Sequence, residues 1–139
     1  MVYRRFGNTL AVRIDRGEEI LEQLKAACLS ENVRLATVSA IGAVDEFTVG
    51  VYHVENKKYD KNTFTGAFEI VSLLGNVTTM DGEYYAHLHM LAADDAGKTY
   101  GGHLNSARVS VTCEMFLTLI DGEIDRYHDD IIGINLLKL

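Results

Sequence analysis

Apolar and polar positions along this chain repeat with two different periods. Ile20, Leu21, Leu24, Ala27 and Cys28 recur at three- and four-residue intervals, with Glu18, Glu19, Glu22 and Lys25 between them. At 3.6 residues per turn such positions share one face, so the pattern predicts an amphipathic packing helix over Arg16–Glu31. Asp15 and Glu18, three apart just ahead of the apolar run, have capping-box spacing. Thr9–Ile14 reads as a strand before the helix. After it, segments rich in Val, Ile, Phe and Tyr read as strands: Arg34–Val44, Glu46–Glu55, Ala67–Thr79, Glu83–Ala93, Lys98–Leu104, Ala107–Ile120, Glu123–Tyr127 and Ile131–Leu137. The polar stretch Asn56–Asn62 reads as an exposed loop. One helix on a mostly antiparallel sheet makes an α+β fold.

Turn chemistry sets the register. Asp81-Gly82 and Asp121-Gly122 are two-residue hairpin signals, because type I′ turns need positive φ at both centres. A two-residue loop at Asp81-Gly82 pairs Met80 with Glu83, and therefore Asn76 with His87 and Leu74 with His89. A three-residue loop Asp95-Ala96-Gly97, with Gly97 in the left-handed region, pairs Asp94 with Lys98 and His89 with His103. A four-residue loop would instead send His103 to the opposite face. In the three-residue register one face carries Val71, Leu73, Val77, Ala86, Leu88, Met90, Ala92 and Leu104, a core face. The other carries Ser72, Asn76, Thr78, Tyr85, His87, His89, His103 and Asn105.

That second face gathers three of the five histidines. His-x-His on a strand projects both imidazoles to one side, and a third across the ladder completes a cup. Neutral imidazoles suit zinc, nickel, copper or ferrous iron, and three ligands with an open fourth position resemble a catalytic more than a structural zinc site. His87, His89 and His103 are thus candidate metal ligands. Asn76 is placed to orient an imidazole or a bound water, and Ser72, Tyr85 and Asn105 complete a candidate pocket. The competing reading is a hydrogen-bonded polar cluster at a subunit interface. His53 reads as a partly buried strand residue and His128, beside Asp129 and Asp130, as part of a solvated turn. Cys113 alternates with Val109, Val111, Met115 and Leu117 in a core stripe, which argues against a catalytic thiol. Glu69 and Glu114 are candidate acids from a neighbouring subunit. No Gly-x-Ser-x-Gly elbow and no glycine-rich phosphate loop occur; Gly101-Gly102 reads as a bulge or a close backbone approach.

Composition narrows the partners. The 139 residues suit a single domain over 1–139, and 47 % hydrophobic residues can fill a core. The formal charge of −7 repels nucleic acid as a whole. DNA contact would need a local patch, either Arg4 and Arg5 or Lys57, Lys58 and Lys61 around Tyr59. The alternative reading of these is a solvated edge strand and a solvated loop. Cys28 and Cys113 sit in apolar surroundings, as reduced thiols of a cytoplasmic protein would. No signal-peptide core and no bilayer-length apolar run are found.

Two segments carry a resemblance. Gly66-Ala67-Phe68-Glu69-Ile70-Val71-Ser72-Leu73-Leu74-Gly75-Asn76 resembles the signature strand of the PPC (plant and prokaryote conserved) domain family. His87-Leu88-His89 followed by Gly101-Gly102-His103-Leu104 resembles its second signature, at matching spacing. Ala67 and Leu74 depart from the pattern, which usually has Arg in plant members and a small residue respectively. The resemblance implies an antiparallel sheet flanked by one or two helices, assembled as a homotrimer. Plant members join the domain to AT-hooks that bind A·T-rich DNA, whereas prokaryotic members often stand alone and are named as DNA-binding candidates. Some resemble metal proteins with histidines at the positions of His87, His89 and His103, which implies a divalent transition metal, zinc first. This chain has no proline and so no AT-hook core. The expectation is a stand-alone homotrimeric, DNA-binding or regulatory module with a three-histidine metal site. The alternative is a metal-dependent enzyme or small-molecule-binding protein that uses the same cup.

Overall fold

The computed structural model describes all residues, Met1–Leu139. Its elements are β1 (Val2–Phe6), β2 (Thr9–Asp15), α1 (Ile20–Ser30), β3 (Ala36–His53), β4 (Lys58–Met80), β5 (Glu83–Ala93), β6 (Thr99–Leu119), β7 (Asp125–Asp129) and β8 (Ile134–Lys138). The first six strands form one antiparallel sheet in the order β1-β2-β6-β3-β4-β5. β6 also pairs with β5, so β3, β4, β5 and β6 close into a ring. The last two strands form a separate hairpin.

Both register-setting turns behave as their residues require. Asp81 and Gly82 adopt φ of 53° and 78°, and Met80 pairs with Glu83, Asn76 with His87 and Leu74 with His89. Gly97 adopts φ 77°, and the Asp94 N–H donates to the Lys98 carbonyl at 2.9 Å. His89 therefore faces His103.

The core fills the ring and its open end. Val44, Phe47, Leu73, Val77, Leu88 and Val109 are essentially inaccessible, and Ile20, Leu24, Ala27 and Cys28 of α1 join them in one cluster of 25 buried residues. Cys113 is fully buried too, and burial pushes both thiols up to about 12. No helix is long and apolar enough to cross a membrane.

Several expectations need correction. The helix begins at Ile20 rather than Arg16, because Gly17 and Glu18 are tied to Val109 of β6 by backbone bonds of 2.8 and 3.0 Å. The capping-box contact exists, with the Asp15 N–H donating to Glu18 at 2.8 Å, but it closes a turn ahead of the helix. The helix cap is Glu19, which accepts from the Glu22 N–H at 2.7 Å. The breaks expected between Val44 and Glu46, and between Leu104 and Ala107, are irregularities within continuous strands β3 and β6, whose bulges bend them enough to close the ring. Lys58–Asn62 is not loop but strand, paired with Val49–His53. Backbone pairing overrides its polar composition, because this arm faces solvent. A register shift between Ile70 and Ser72 turns Val71 out of the core, 53 % exposed. Asp121-Gly122 makes no hairpin: Asp121 lacks the positive φ that a type I′ turn demands, and β7 pairs with β8 instead.

Candidate metal centre

Local geometry brings the three histidines together in two steps. Period-two alternation puts His87 and His89 on the same side of β5, and the Gly97 loop carries His103 back to lie beside His89. Their potential ligand atoms all lie within 4.8 Å of one another. The Nε2 atoms of His87 and His89 are 3.2 Å apart. The ring centroids are 5.0 Å apart for His87 and His103, and 5.6 Å for His89 and His103. Burial lowers the His87 pKa to about 4, with His103, His89 and Arg126 adding to the effect. His103 is lowered as well, by burial first and then by His89 and Lys61. An imidazole that is neutral at physiological pH has its lone pair free for a metal, so His87 and His103 suit a borderline divalent ion without first losing protons.

Backbone close to the cup is glycine where it must be. Gly50 of β3 pairs with His103, and a Cβ on Gly102 would meet the Gly50 carbonyl oxygen at 2.7 Å. Two aromatic walls rise from there. Tyr59 of β4 lies edge-on to His103, with centroids 6.0 Å apart, and its hydroxyl accepts from Asn105 Nδ2 at 2.6 Å. Asn105 also donates to the His103 carbonyl at 2.9 Å, tying wall to ligand. Tyr85 stands on the other side, beneath the β7–β8 hairpin.

That hairpin roofs a cavity of about 730 Å³ over the cup. It is anchored where Tyr52 Oη donates to the Ile132 carbonyl at 2.8 Å and Lys57 Nζ to the Asp130 carbonyl at 2.6 Å. On its other side Arg126 is only 5 % exposed. It donates from Nε to Thr78 Oγ1 at 2.8 Å and from Nη2 to Asn76 Oδ1 at 2.9 Å. Nη1 donates to the Asn135 carbonyl at 3.2 Å, and the guanidinium lies 4.6 Å from the Tyr85 ring centroid. Asn76 thus holds an arginine next to His87.

The candidate residues separate accordingly. His87, His89, His103 and Tyr85 line the cavity, while Asn76 and Asn105 brace its walls. Ser72 lies in a different groove, with Ile41, Leu74 and Phe116. Glu69 and Glu114 are exposed and outside the cavity. His128 is not on a turn: it sits on β7, lines the cavity and contacts Asn135 Oδ1 at 3.0 Å, because the hairpin starts and ends later than its sequence suggests. His53 is exposed at the end of β3, 3.3 Å from Asp60. The basic candidates fall in separate places. Arg4 and Arg5 are on β1, where Arg5 pairs with Glu31 at 3.4 Å. Lys57, Lys58 and Lys61 are on the β3–β4 arm, where Lys58 pairs with Asp60 at 2.9 Å. Arg126 and Tyr52 escaped sequence reasoning, and Tyr59 entered it only as part of the lysine patch. Tyr59 lay in a stretch that reads as loop, and nothing local marks an arginine beside Asp125 as buried.

The sequence model of the Plants and Prokaryotes Conserved (PCC) domain matches residues 1–121, which include all three histidines and exclude the β7–β8 hairpin. Among solved structures, a candidate DNA-binding protein from Bacteroides thetaiotaomicron superposes with a TM-score of 0.96 at 29 % identity, covering 99 % of this chain and 96 % of its own. A metal-containing protein from Archaeoglobus fulgidus gives 0.89 at 35 % identity, covering 100 % and 99 %. A plant- and prokaryote-conserved protein from Pyrococcus horikoshii gives 0.85 at 29 %, covering 99 % and 96 %. A search of curated protein sequences finds no match.

Proposed function

The chain belongs to the Plants and Prokaryotes Conserved domain family, and from that premise we propose that it is a metal-binding protein whose cup of His87, His89 and His103 presents a divalent transition ion, zinc first, to a small-molecule cavity. The observation that carries this is the convergence of three imidazoles, with ligand atoms within 4.8 Å, at the floor of a cavity. The family relative described as metal-containing supports it. When bound, such an ion would polarise a carbonyl or activate a water. The chain's own residues supply the rest: Asn105 fixes Tyr59 against His103, Asn76 and Arg126 back His87, and the hairpin lends His128, Ile134 and Asn135 to the cavity wall. The cavity offers no carboxylate as a general base, which favours binding over catalysis.

Elemental analysis of the zinc-supplemented, dialysed protein tests this. The expected result is one ion per chain, with His89→Ala and His103→Ala each weakening retention at least tenfold. Substoichiometric metal in the wild type overturns the reading.

We further propose a homotrimer, supported by the apolar outer face described below. DNA binding is a second reading, favoured by the description of the Bacteroides relative. The charge of −7 and the pairing of Arg5 and Lys58 with acids oppose it. The expected result is no retention of duplex DNA in a low-salt gel shift; retention that falls with added salt would restore it.

A further inference from the structure

We propose that the cup takes a small organic carboxylate, bound at the metal position and favoured by the positive charge of Arg126 behind the Tyr85 wall. This rests on the three-histidine reading and adds the ligand class.

The first argument is charge balance. No Asp or Glu lines the cavity, although the chain carries 20 acidic residues. A dication on three neutral imidazoles would leave its full charge uncompensated by protein, in a partly desolvated site where field strength rises. The floor is therefore built to be completed by an anion.

The second is independent of any metal. Arg126 is always charged and almost fully buried, yet every acceptor it meets is neutral: a hydroxyl, a side-chain amide and a backbone carbonyl. A buried charge without a counterion is costly, so such an arginine is normally paired with a carboxylate. Here the polar groups hold the guanidinium 4.6 Å from the ring centroid of Tyr85, a residue that itself lines the cavity. The charge is fixed behind the wall and its counterion is left to whatever enters.

The third is shape. Above the histidines Tyr52, Tyr59, Val51 and Ile134 give the lining an aromatic and aliphatic side, and His128 and Asn135 add a polar one. A volume of about 730 Å³ lies in the range of small-ligand sites. An anionic head at the histidines and an apolar remainder against the tyrosines fits these surfaces. Arg126 acts here as a positioning residue, through Tyr85 and Asn76.

The test uses the full chain loaded with cobalt(II), whose visible bands report changes at the ion. Sodium propionate and propionamide, which differ in charge at nearly constant shape, are titrated at fixed ionic strength. The expected result is saturable change with propionate and at least tenfold weaker response to propionamide. Arg126→Met should weaken propionate about tenfold with cobalt stoichiometry unchanged, and Arg126→Lys should restore most of the affinity. If Arg126→Met does not fold, the amide comparison and Arg126→Lys decide. Wild type that takes up no cobalt overturns the metal reading, and the proposal with it. Wild type that takes up cobalt but binds propionamide as well as propionate overturns the proposal alone, as does Arg126→Met with undiminished propionate affinity.

Discussion

His87 shows how much a single site residue costs the fold. Its pKa falls from the ordinary 6.5 to about 4 because burial disfavours its charged form, with His103, His89 and Arg126 adding repulsion. The unfolded chain takes up this proton near pH 6.5, whereas the folded metal-free chain waits until about pH 4. The unfolded state binds more protons across that window, so stability is full above pH 6.5 and declines as pH falls toward 4. Urea midpoints of the metal-free protein should drop between pH 7 and pH 5, and the drop should shrink in His87→Gln. The ion-paired Asp15, Glu18 and Asp60 and the Thr79-bonded Asp125 are held below their usual range and act further down the scale, which keeps the upper window for histidine. An unchanged midpoint between pH 7 and pH 5 would contradict the burial argument. This residue's position, unlike its titration, is legible from sequence: Asp81-Gly82 and Gly97 fix the register by backbone sterics alone, so His87, His89 and His103 can be placed together without knowing the rest of the fold. Arg126 is not legible in that way, because its burial depends on a hairpin folding over a strand some 50 residues distant.

At the scale of elements, the hairpin β7–β8 is the part that local signals describe least well. Asp121-Gly122 looks like the hairpin turn but is a bend, and the true pairing joins Asp125–Asp129 to Ile134–Lys138. Long-range anchors decide this outcome, chiefly Tyr52, Lys57 and Arg126. The same kind of override placed Val71 outward: a one-residue shift in pairing with β5 reverses faces, and alternation in the sequence alone does not reveal it. Removing one anchor should loosen the hairpin without unfolding the ring. Tyr52→Phe deletes a single hydrogen bond worth about 1 kcal/mol. Amides of β7 and β8 should then exchange about fivefold faster in hydrogen-exchange measurements, with β3 and β6 unaffected. Uniform acceleration across the chain would mean that the hairpin and the ring open together.

For the whole molecule, the outer face of the sheet asks for cover. Leu74 and Phe116 lie in one cross-strand row with Ser39, and Ile41, Val71 and Val111 are each more than half exposed nearby. Exposed apolar side chains massed on one sheet face mark an association surface. Sedimentation equilibrium should give a mass near three times 15.4 kDa for the wild type. Leu74→Asp or Phe116→Asp should move it toward the monomer, since each would bury a charge at the contact. A wild-type monomer at micromolar concentration would end the trimer proposal. The row of Leu74 continues into the cup, because Leu74 pairs with His89. The exposed apolar row and the histidine site therefore share a strand pair.

The ring of β3 to β6 is joined by a short seam, in which His89–Ala93 of β5 meets Thr99–His103 of β6. His89 and His103 are the last pair of that seam, and beyond them the two strands part like the arms of a fork. A zipper starts to open at the crotch of its fork. An ion gripped by both arms there would act as a rivet, bearing load across a joint that backbone pairing alone holds over five rungs. Losing the ion would do more than empty a pocket: it would free the ring to breathe at its closure.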